Sequence, residues 1–228
     1  MLTRMFDSRA RAFIKHILMG SNNTGLDVKN YSFRIEFQMR GMPHIHGVLW
    51  LNNIKKCLTD TDGYELDKDK LPDFIDSIIS CSTEGDDSEV NKIVSEVQKH
   101  HHTRSCQKKN NVCRFGFPKP PSDETIIAGP VKDIDEKTMK EYKEIMKKVK
   151  EKLDSPELDE NMDLKTFLDK LGIDPNKYKK ALKISLRGQT VILKRTLKDR
   201  YINNFNPMFT KAWNANIDIQ FCCDTYAG

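Results

Sequence analysis

Two histidines and one glutamate near the start of the chain have the residue types and spacing of a metal site. His44 and His46 are separated by one residue, which on a β-strand points both imidazoles to the same face. Glu36 lies eight residues before His44, so a preceding antiparallel strand would bring its carboxylate to the same place. Two imidazoles and one carboxylate that leave coordination positions open suit a divalent cation acting as a Lewis acid on a phosphate.

One further residue and one alternative interpretation bear on this site. Gln38 shares the strand face of Glu36, so it is a candidate extra ligand or an outer donor to the ligands. A His-x-His pair alone is also typical of an ordinary polar strand surface, so from the two histidines by themselves both interpretations stay open. The strand that carries Glu36 and the turn at 40–43 favour the metal site.

A second group of metal-binding residue types lies farther along the chain. Four side chains fall within fourteen residues of one another, namely His100, His102, Cys106 and Cys113. They could hold a tetrahedral Zn²⁺ that organises an otherwise polar loop. A flexible basic loop with incidental cysteines is the alternative. The three consecutive histidines leave the choice of nitrogen ligands open, and Cys57 or Cys81 could replace one member of the set.

Basic and amide side chains suggest contact with a nucleic acid. Arg114 precedes Phe115, whose ring, like that of Phe117, either stacks on an unpaired base or is buried. Basic residues beside amide-rich turns suit phosphates and unpaired bases, although a solvated surface and turn formation around Pro207 are equally compatible with them. The candidates for DNA contact are Arg34, Arg40, Arg114, Lys194, Arg195, Asn204 and Asn206.

A β-hairpin must position the first group. Residues 31–38 alternate strictly between apolar and polar side chains, which predicts a strand with Glu36 on its polar face. The turn at 40–43 and the run 44–51 predict the returning strand, whose Ile45 would point into a core.

Helices and short strands complete the predicted fold. Asp163 is a predicted N-cap for a helix that ends before Gly172, and Asp174-Pro175 would begin the next helix. Apolar spacing predicts other helices at 4–19, 71–80, 88–99 and 135–153. Strands are predicted at 190–193 and 217–222, the latter with Cys222 and Cys223 as core thiols. We expect an α+β fold in which an antiparallel sheet carries the metal hairpin and is flanked by helices, with a zinc-knuckle loop and a helical insertion.

Charge is strongly segregated along the chain. The 228 residues carry a formal net charge of +5, yet residues 58–90 hold eleven acidic residues and two basic ones. Residues 98–119 hold six basic residues and no acidic one, and residues 177–211 hold ten basic residues and one acidic one. Two cationic blocks and a separate acidic one indicate a polyanionic partner.

The spacing of the cysteines and the hydropathy of the chain limit the choice of cellular compartment. The six cysteines do not have the spacing of a small secreted scaffold, and a chain of this length can form a core without disulfides. No apolar run approaches the roughly 18–20 residues of a membrane span, and the first residues lack a signal-peptide pattern. We therefore expect a reducing interior, nuclear or cytosolic, with no membrane partner, and favour the nucleus.

The hairpin sequence resembles a known family. The run RIEFQMRGMPHIHGVLW at 34–50 is similar to the Helitron-like N-terminal (helitron helicase-like) domain, whose hallmark is an E-F-Q-x-R-G-x-P-H-x-H run. The resemblance extends to 100–118, 193–207 and 211–218. In that family the domain is the HUH endonuclease part of rolling-circle transposases, commonly followed by a Pif-type helicase in the same polypeptide.

The resemblance implies nicking and joining of single-stranded DNA at transposon ends. Mg²⁺ or Mn²⁺ on Glu36, His44 and His46 would polarise the scissile phosphate, and a tyrosine would form a 5′-phosphotyrosyl intermediate. In the family that tyrosine lies on a helix just after the strand matching 217–222, and this chain ends at Gly228, about where the helix begins. We therefore expect the nucleophile beyond the chain end, with Tyr226 as the candidate within it.

The expected organisation is one HUH-like domain with insertions. Its parts are a helix plus the metal hairpin at 1–57, an acidic connection at 58–97, a zinc-knuckle-like basic segment at 98–121, a charged helical insertion at 122–182, and C-terminal strands at 183–228. The rival hypothesis is a non-catalytic, zinc-stabilised nucleic-acid-binding module derived from a decayed transposon, and a third is a protein-interaction domain that uses its charged helices. The intact metal triad favours the endonuclease, because drift would readily remove one of its members.

Overall fold

The chain folds into short helices and short antiparallel strands, as the helical and alternating patterns of its sequence predict. The computed structural model describes residues 2–20, 25–37, 42–57, 66–104, 106–107, 112–128, 134–185 and 191–222. Within these ranges the chain is a mixed α+β protein with small antiparallel sheets, so the fold class is confirmed at this level. Gln38, Arg40, Cys223 and Tyr226 lie outside the described residues.

The elements follow one another in this order. The chain begins with α1 (Leu2–Phe13), a π-helical turn (Ile14–Leu18), β1 (Val28–Phe37), β2 (Pro43–Leu51) and a 3₁₀ turn (Asn53–Cys57). The middle consists of α2 (Leu71–Ile78), α3 (Ser88–Ile93), a second π-helical turn (Val94–Gln98) and β3 (Ile126–Ile127). The remainder consists of α4 (Glu136–Leu153), α5 (Leu164–Leu171), α6 (Pro175–Ser185), β4 (Val191–Ile192) and α7 (Pro207–Trp213).

The first two strands form the antiparallel hairpin that the sequence predicts. Arg34 lies opposite His46, and Glu36 lies opposite His44. Facing residues of an antiparallel pair share one face of the sheet, so the register places the carboxylate beside the imidazoles. The apolar face is only partly covered, since Phe37 is 57% exposed. Ile45, expected in a core, is half-buried.

The two larger of four hydrophobic clusters among the described residues hold the helices α2, α4, α5 and α6 and the strand β4 together. The apolar stripe of α4 packs against α5 and α6, through buried residues that include Val149, Leu153, Phe167, Leu168 and Leu182. The second cluster joins α2 to β4 and its neighbours, through Leu71, Ile75, Ile78 and Leu193. Cys57 and Cys81 are buried in this second cluster. Their thiols pack there as small apolar groups. Neither cysteine belongs to the group of possible metal ligands in the 100–113 loop.

The predicted helix boundaries of the insertion are confirmed by their capping bonds. The Asp163 carboxylate accepts a hydrogen bond from the Thr166 backbone N–H at 2.9 Å, as an N-cap does. Gly172 ends the same helix with a φ of 65°, a left-handed conformation that a glycine adopts without steric cost. Asp174 likewise accepts from the Lys177 N–H at 2.9 Å.

The last predicted strand is wrong. Residues 217–222 alternate between half-buried and exposed side chains, but they form no strand with any described segment. The Ile217 N–H bonds to the Gln98 side chain at 3.2 Å, and the Ile219 N–H bonds to the Asn204 carbonyl at 3.1 Å. These two isolated hydrogen bonds, one to a side chain and one to a loop carbonyl, take the place of the regular backbone hydrogen bonds of a β-ladder. Cys222, expected in the core, is exposed.

The acidic segment partly neutralises the C-terminal basic block. Lys198 Nζ lies 2.7 Å from Glu84 Oε1. Lys211 Nζ lies 2.8 Å from both Asp87 Oδ2 and Glu89 Oε2. These cations serve ion pairs within the chain, so charge counts along the sequence overstate the basic surface of this block. Across the described ranges, no helix is both long and apolar enough to cross a membrane.

Candidate metal centres

The first candidate centre lies on the polar face of the hairpin. The Nε2 atoms of His44 and His46 are 2.9 Å apart. Glu36 Oε2 lies 3.4 Å from His44 Nε2 and 3.2 Å from His46 Nε2. Three ligand atoms therefore converge on one point, because the period-two geometry of two paired strands brings alternate residues together.

These separations fit three ligands of a single ion. Metal–ligand bonds of about 2.1 Å place neighbouring ligand atoms about 3.0 Å apart at right angles and about 3.4 Å apart in a tetrahedron. The ring orientation agrees with this, since the Nε2 atoms face inward. His44 Nδ1 is buried and has no hydrogen-bond partner among the described residues. The donor set and its spacing fit a divalent cation.

The first centre is open to solvent. The His46 side chain is 59% exposed, so a ligand larger than water can reach this side of the site. Arg34 forms an ion pair with Glu36 and places a cation beside the carboxylate. An open centre with coordination positions left over is the arrangement of a catalytic rather than a structural metal site.

The second candidate centre is formed by the loop at 100–113. Cys106 Sγ lies 3.7 Å from His102 Nδ1, and Cys113 Sγ lies 3.4 Å from His100 Nε2. All four ligand atoms lie within 4.8 Å of one another. A tetrahedral Zn²⁺ with bonds of about 2.3 Å to sulfur and 2.0–2.1 Å to nitrogen separates S and N by about 3.6 Å. The side chains therefore fit such an ion, and His101 is not part of the group.

The environment favours the ligand forms of two of these groups. The backbone N–H of Thr103, 3.2 Å from Cys106 Sγ, and the adjacent His102 lower the pKa of the Cys106 thiol to about 7. Burial lowers the pKa of His100. A metal binds the thiolate and the neutral imidazole, so both shifts suit ligation.

Packing closes the second centre from one side. The Phe117 ring is buried and stacks on His100, with the ring centroids 4.4 Å apart. Phe115 is exposed, and the Arg114 guanidinium lies over its ring, 4.6 Å from the ring centroid. From the sequence, each ring could be buried or could stack on an unpaired base. The structure buries Phe117 and leaves Phe115 at the surface.

The predicted DNA contacts divide into exposed and buried residues. Arg34, Arg114 and Lys194 are exposed. Arg195 is only 6% exposed, and its NH1 group donates to the carbonyls of Asp199 and Ile202 at 2.6 Å and 2.7 Å.

The predicted amide contacts are also used within the fold. Asn204 Oδ1 accepts from the Arg195 NH2 group at 3.0 Å. Asn206 caps α7 and donates to the Ile78 carbonyl at 2.9 Å. Because these bonds hold a loop together, we do not carry Arg195, Asn204 or Asn206 forward as DNA contacts.

Sequence reasoning missed two features of the candidate centres. Trp50 and Val48 alternate with His46 on β2, so they lie on the metal face of the hairpin, and both are exposed. A Trp at an outward position of the predicted strand was a usable signal. Asp154 and Tyr201 lie beside the second centre, where Asp154 Oδ1 is 3.8 Å from His102 Nε2. No local pattern marks a contact between residues this far apart in the chain.

Comparison with known proteins gives one result. Residues 1–49 match the family model described as the Helitron helicase-like domain at the N-terminus. The matched segment contains α1, β1 and most of β2, and it includes all three residues of the first candidate centre. No curated protein and no solved structure matches the chain. The resemblance to the Helitron helicase-like N-terminal domain is therefore confirmed over residues 1–49.

Proposed function

We propose that this chain binds single-stranded DNA and uses a divalent cation on its hairpin for nicking and strand transfer in rolling-circle transposition. The observation that carries the proposal is the convergence of Glu36, His44 and His46 on one point. This convergence lies inside the segment that matches the Helitron helicase-like family. We place Mg²⁺ or Mn²⁺ at this site.

Each residue of the hairpin site has a separate task. A cation held there supplies a Lewis acid for a phosphate oxygen. His44 and His46 direct Nε2 inward, and an imidazole that binds a metal through Nε2 is the neutral tautomer with its proton on Nδ1. Glu36 uses one carboxylate oxygen toward both imidazoles and the other toward Arg34. Arg34 thereby orients the carboxylate and leaves donors for a phosphate.

Single-stranded DNA fits the surface around this site better than a duplex. The exposed Trp50 and Val48 extend the metal face of the hairpin, and an exposed indole can stack on an unpaired base. Phe115 with Arg114 offers a second exposed aromatic and cation pair. Lys194 adds an exposed cation for the phosphate backbone.

For the second centre we propose a structural Zn²⁺. Two thiolates and two imidazoles fill a tetrahedron and leave no position for a substrate. Both cysteines are buried, which suits a closed site. We further propose, from the family resemblance, a helicase domain in the same full-length polypeptide and a nuclear location.

Cleavage of labelled single-stranded DNA tests the proposed function. Oligonucleotides labelled at the 3′ end are incubated with Mn²⁺ and a zinc-loaded form of the protein that continues past Gly228 and so includes the proposed tyrosine helix. When a tyrosine oxygen attacks the phosphorus, the P–O3′ bond breaks and the labelled fragment stays attached to the protein. We expect this adduct from the extended protein with the wild-type hairpin and its loss in Glu36→Gln and His46→Ala, whereas an adduct from residues 1–228 alone would point to Tyr226. His101→Ala removes an exposed histidine outside both centres and should keep the adduct.

Two outcomes separate the alternatives. An adduct that persists in His46→Ala contradicts a metal role for the hairpin. An extended protein that binds both Mn²⁺ and DNA but cleaves none of the oligonucleotides contradicts the endonuclease and supports the non-catalytic module. Tyr226 remains a predicted nucleophile, and Tyr226→Phe tests it in the same assay.

A further inference from the structure

His102 of the second centre has one ring nitrogen that the metal cannot use. Its Nδ1 faces Cys106 Sγ at 3.7 Å, as a ligand atom would. Its Nε2, on the other side of the ring, is buried and has no hydrogen-bond partner among the described residues. An imidazole that binds through Nδ1 carries its proton on Nε2, so the ligand form of His102 presents a buried donor that needs an acceptor.

A carboxylate from a distant part of the chain faces this nitrogen. Asp154 follows the last residue of α4, and its Oδ1 lies 3.8 Å from His102 Nε2. The Tyr201 hydroxyl donates to the same Oδ1 at 2.6 Å. The Tyr201 ring also contacts His102 edge-on, with the centroids 5.7 Å apart. Carboxylate, phenol and imidazole thus form one chain of contacts behind the four ligands.

The distance of 3.8 Å is about 0.8 Å longer than a hydrogen bond of this type. Closing the gap requires the His102 ring to turn toward Asp154 or the half-exposed Asp154 side chain to move toward the ring. Metal-bound histidines commonly donate their second N–H to a carboxylate, which fixes the ring and raises the basicity of the ligand nitrogen. Asp154 is therefore the carboxylate that lies in position to accept a hydrogen bond from the Nε2–H of a metal-bound His102.

We propose that Asp154 is the positioning carboxylate of the second metal centre, holding His102 through its Nε2–H while Tyr201 holds Asp154. The inference rests on the proposed zinc site and deepens it. Because Asp154 belongs to the end of α4, metal binding and the docking of the helical insertion are coupled. Such coupling is reciprocal, so each event favours the other to the same extent.

Zinc affinity, measured by competition with a chromophoric chelator, tests the proposal. Loss of an outer carboxylate commonly weakens metal binding about 10–100-fold, and we expect Asp154→Asn to fall in this range. Tyr201→Phe keeps the ring but removes the donor to Asp154, and it should weaken binding less. Glu157→Gln is the matched control, because it removes the same charge from an exposed side chain three residues after Asp154. This control should bind zinc as the wild type does.

A second measurement separates positioning from a purely structural role at the helix end. In the Co²⁺-loaded protein the ligand-field absorption reports the geometry at the ion. We expect Asp154→Asn to shift these bands, and Asp154→Glu to restore part of the zinc affinity. Thermal unfolding of the metal-free proteins shows whether the variants fold. If Asp154→Asn does not fold, the zinc affinity of Tyr201→Phe is the measurement that tests the proposal.

The outcomes that overturn the proposal are distinct from those that overturn the zinc site. Unchanged zinc affinity and an unchanged Co²⁺ spectrum in Asp154→Asn leave Asp154 as a helix cap only. If the wild type binds no zinc, or binds it equally well after Cys106→Ser, the zinc site itself fails. The Cys106→Ser control therefore identifies which of the two claims is wrong.

Discussion

Adjacent basic residues of this protein have opposite roles. Lys194 is exposed, whereas the next residue, Arg195, is buried. The Arg195 guanidinium donates to two backbone carbonyls and to Asn204. A planar group with five donors can satisfy several acceptors of a loop at once. The identity of a charged residue therefore does not tell whether it faces a nucleic acid or the interior.

Replacing Arg195 tests its structural role. Arg195→Met keeps the aliphatic stem of the side chain but leaves the Ile202 carbonyl without its guanidinium donor, whereas the Asp199 carbonyl keeps the Ile202 N–H at 2.9 Å. We expect the free energy of unfolding in urea to fall by about 1–3 kcal/mol, which is the usual cost of one unsatisfied buried group. Lys194→Met, the exposed neighbour, should change it by less than about 0.5 kcal/mol. Equal effects of the two substitutions would refute the assignment.

Replacing Lys194 tests the proposed DNA surface. Affinity for a labelled single strand is measured by fluorescence anisotropy at several salt concentrations. Each lost phosphate contact reduces the slope of log K against log[salt] by about 0.7. We expect a reduction of this size in Lys194→Met. Lys198→Met should change the slope less, because Lys198 pairs with Glu84. An unchanged slope in Lys194→Met removes this residue from the interface.

At the scale of elements, the β1–β2 hairpin depends on one glycine. Gly47 lies opposite Phe33 in the strand register, and an added Cβ would overlap the Phe33 ring. The ring lies over the glycine on the apolar face, while the neighbouring His46 points to the metal face. Packing on one face of the hairpin therefore bears on ligand geometry on the other.

Enlarging this glycine tests the connection. Gly47→Val forces the Phe33 ring to move, and overpacking of this kind costs about 1–3 kcal/mol of stability. We expect weaker Mn²⁺ binding as well, because the backbone at His46 shifts with its neighbour. Phe33→Leu in the same chain makes room and should recover part of both losses. If Mn²⁺ affinity is unaffected by Gly47→Val, the two faces are independent.

Local sequence patterns predict these elements where neighbours in the chain decide the structure. The alternation around Glu36 and the spacing of His44 and His46 are period-two signals, so the hairpin and its polar face follow from them. Asp163 as N-cap is likewise a contact over three residues. The prediction of a strand at 217–222 fails because the alternation predicts which side chains are half-buried, as they are, but not whether another strand lies beside the segment.

Contacts between distant parts of the chain are the features that no local pattern reveals. Asp154 meets His102 across 52 residues, and Lys211 meets Asp87 across 124. Both depend on how helices pack, which is decided by the hydrophobic clusters as a whole. The second centre was predictable as a set of ligand types, whereas its outer carboxylate was not.

At the scale of the whole molecule, the two metal centres differ in what they hold together. The hairpin centre uses two neighbouring strands and is open to solvent. The second centre lies among the 100–113 loop, the end of α4 and Tyr201. The four ligands of the second centre come from one loop, and the proposed Asp154 contact links that loop to the end of α4. An ion there stabilises the folded state, since the unfolded chain has no such site.

Stepwise metal removal tests this difference. A zinc-selective chelator should lower the midpoint of thermal unfolding substantially, because the closed centre joins several elements. Removal of Mg²⁺ or Mn²⁺ with zinc retained should lower it much less, because the hairpin centre links only two adjacent strands. Differential scanning calorimetry of the two forms measures both effects. A larger loss on Mn²⁺ removal than on zinc removal would reverse the assigned roles.

Binding of Mn²⁺ to the hairpin is the most direct test of the central claim that Glu36, His44 and His46 form a divalent-metal site. The zinc-saturated protein is titrated with Mn²⁺, and free Mn²⁺ is followed by electron paramagnetic resonance. We expect one tightly bound Mn²⁺ per wild-type chain, lost in His44→Ala and His46→Ala and retained in His101→Ala. Wild-type binding that survives both hairpin substitutions, or no binding in the wild type, would contradict this claim.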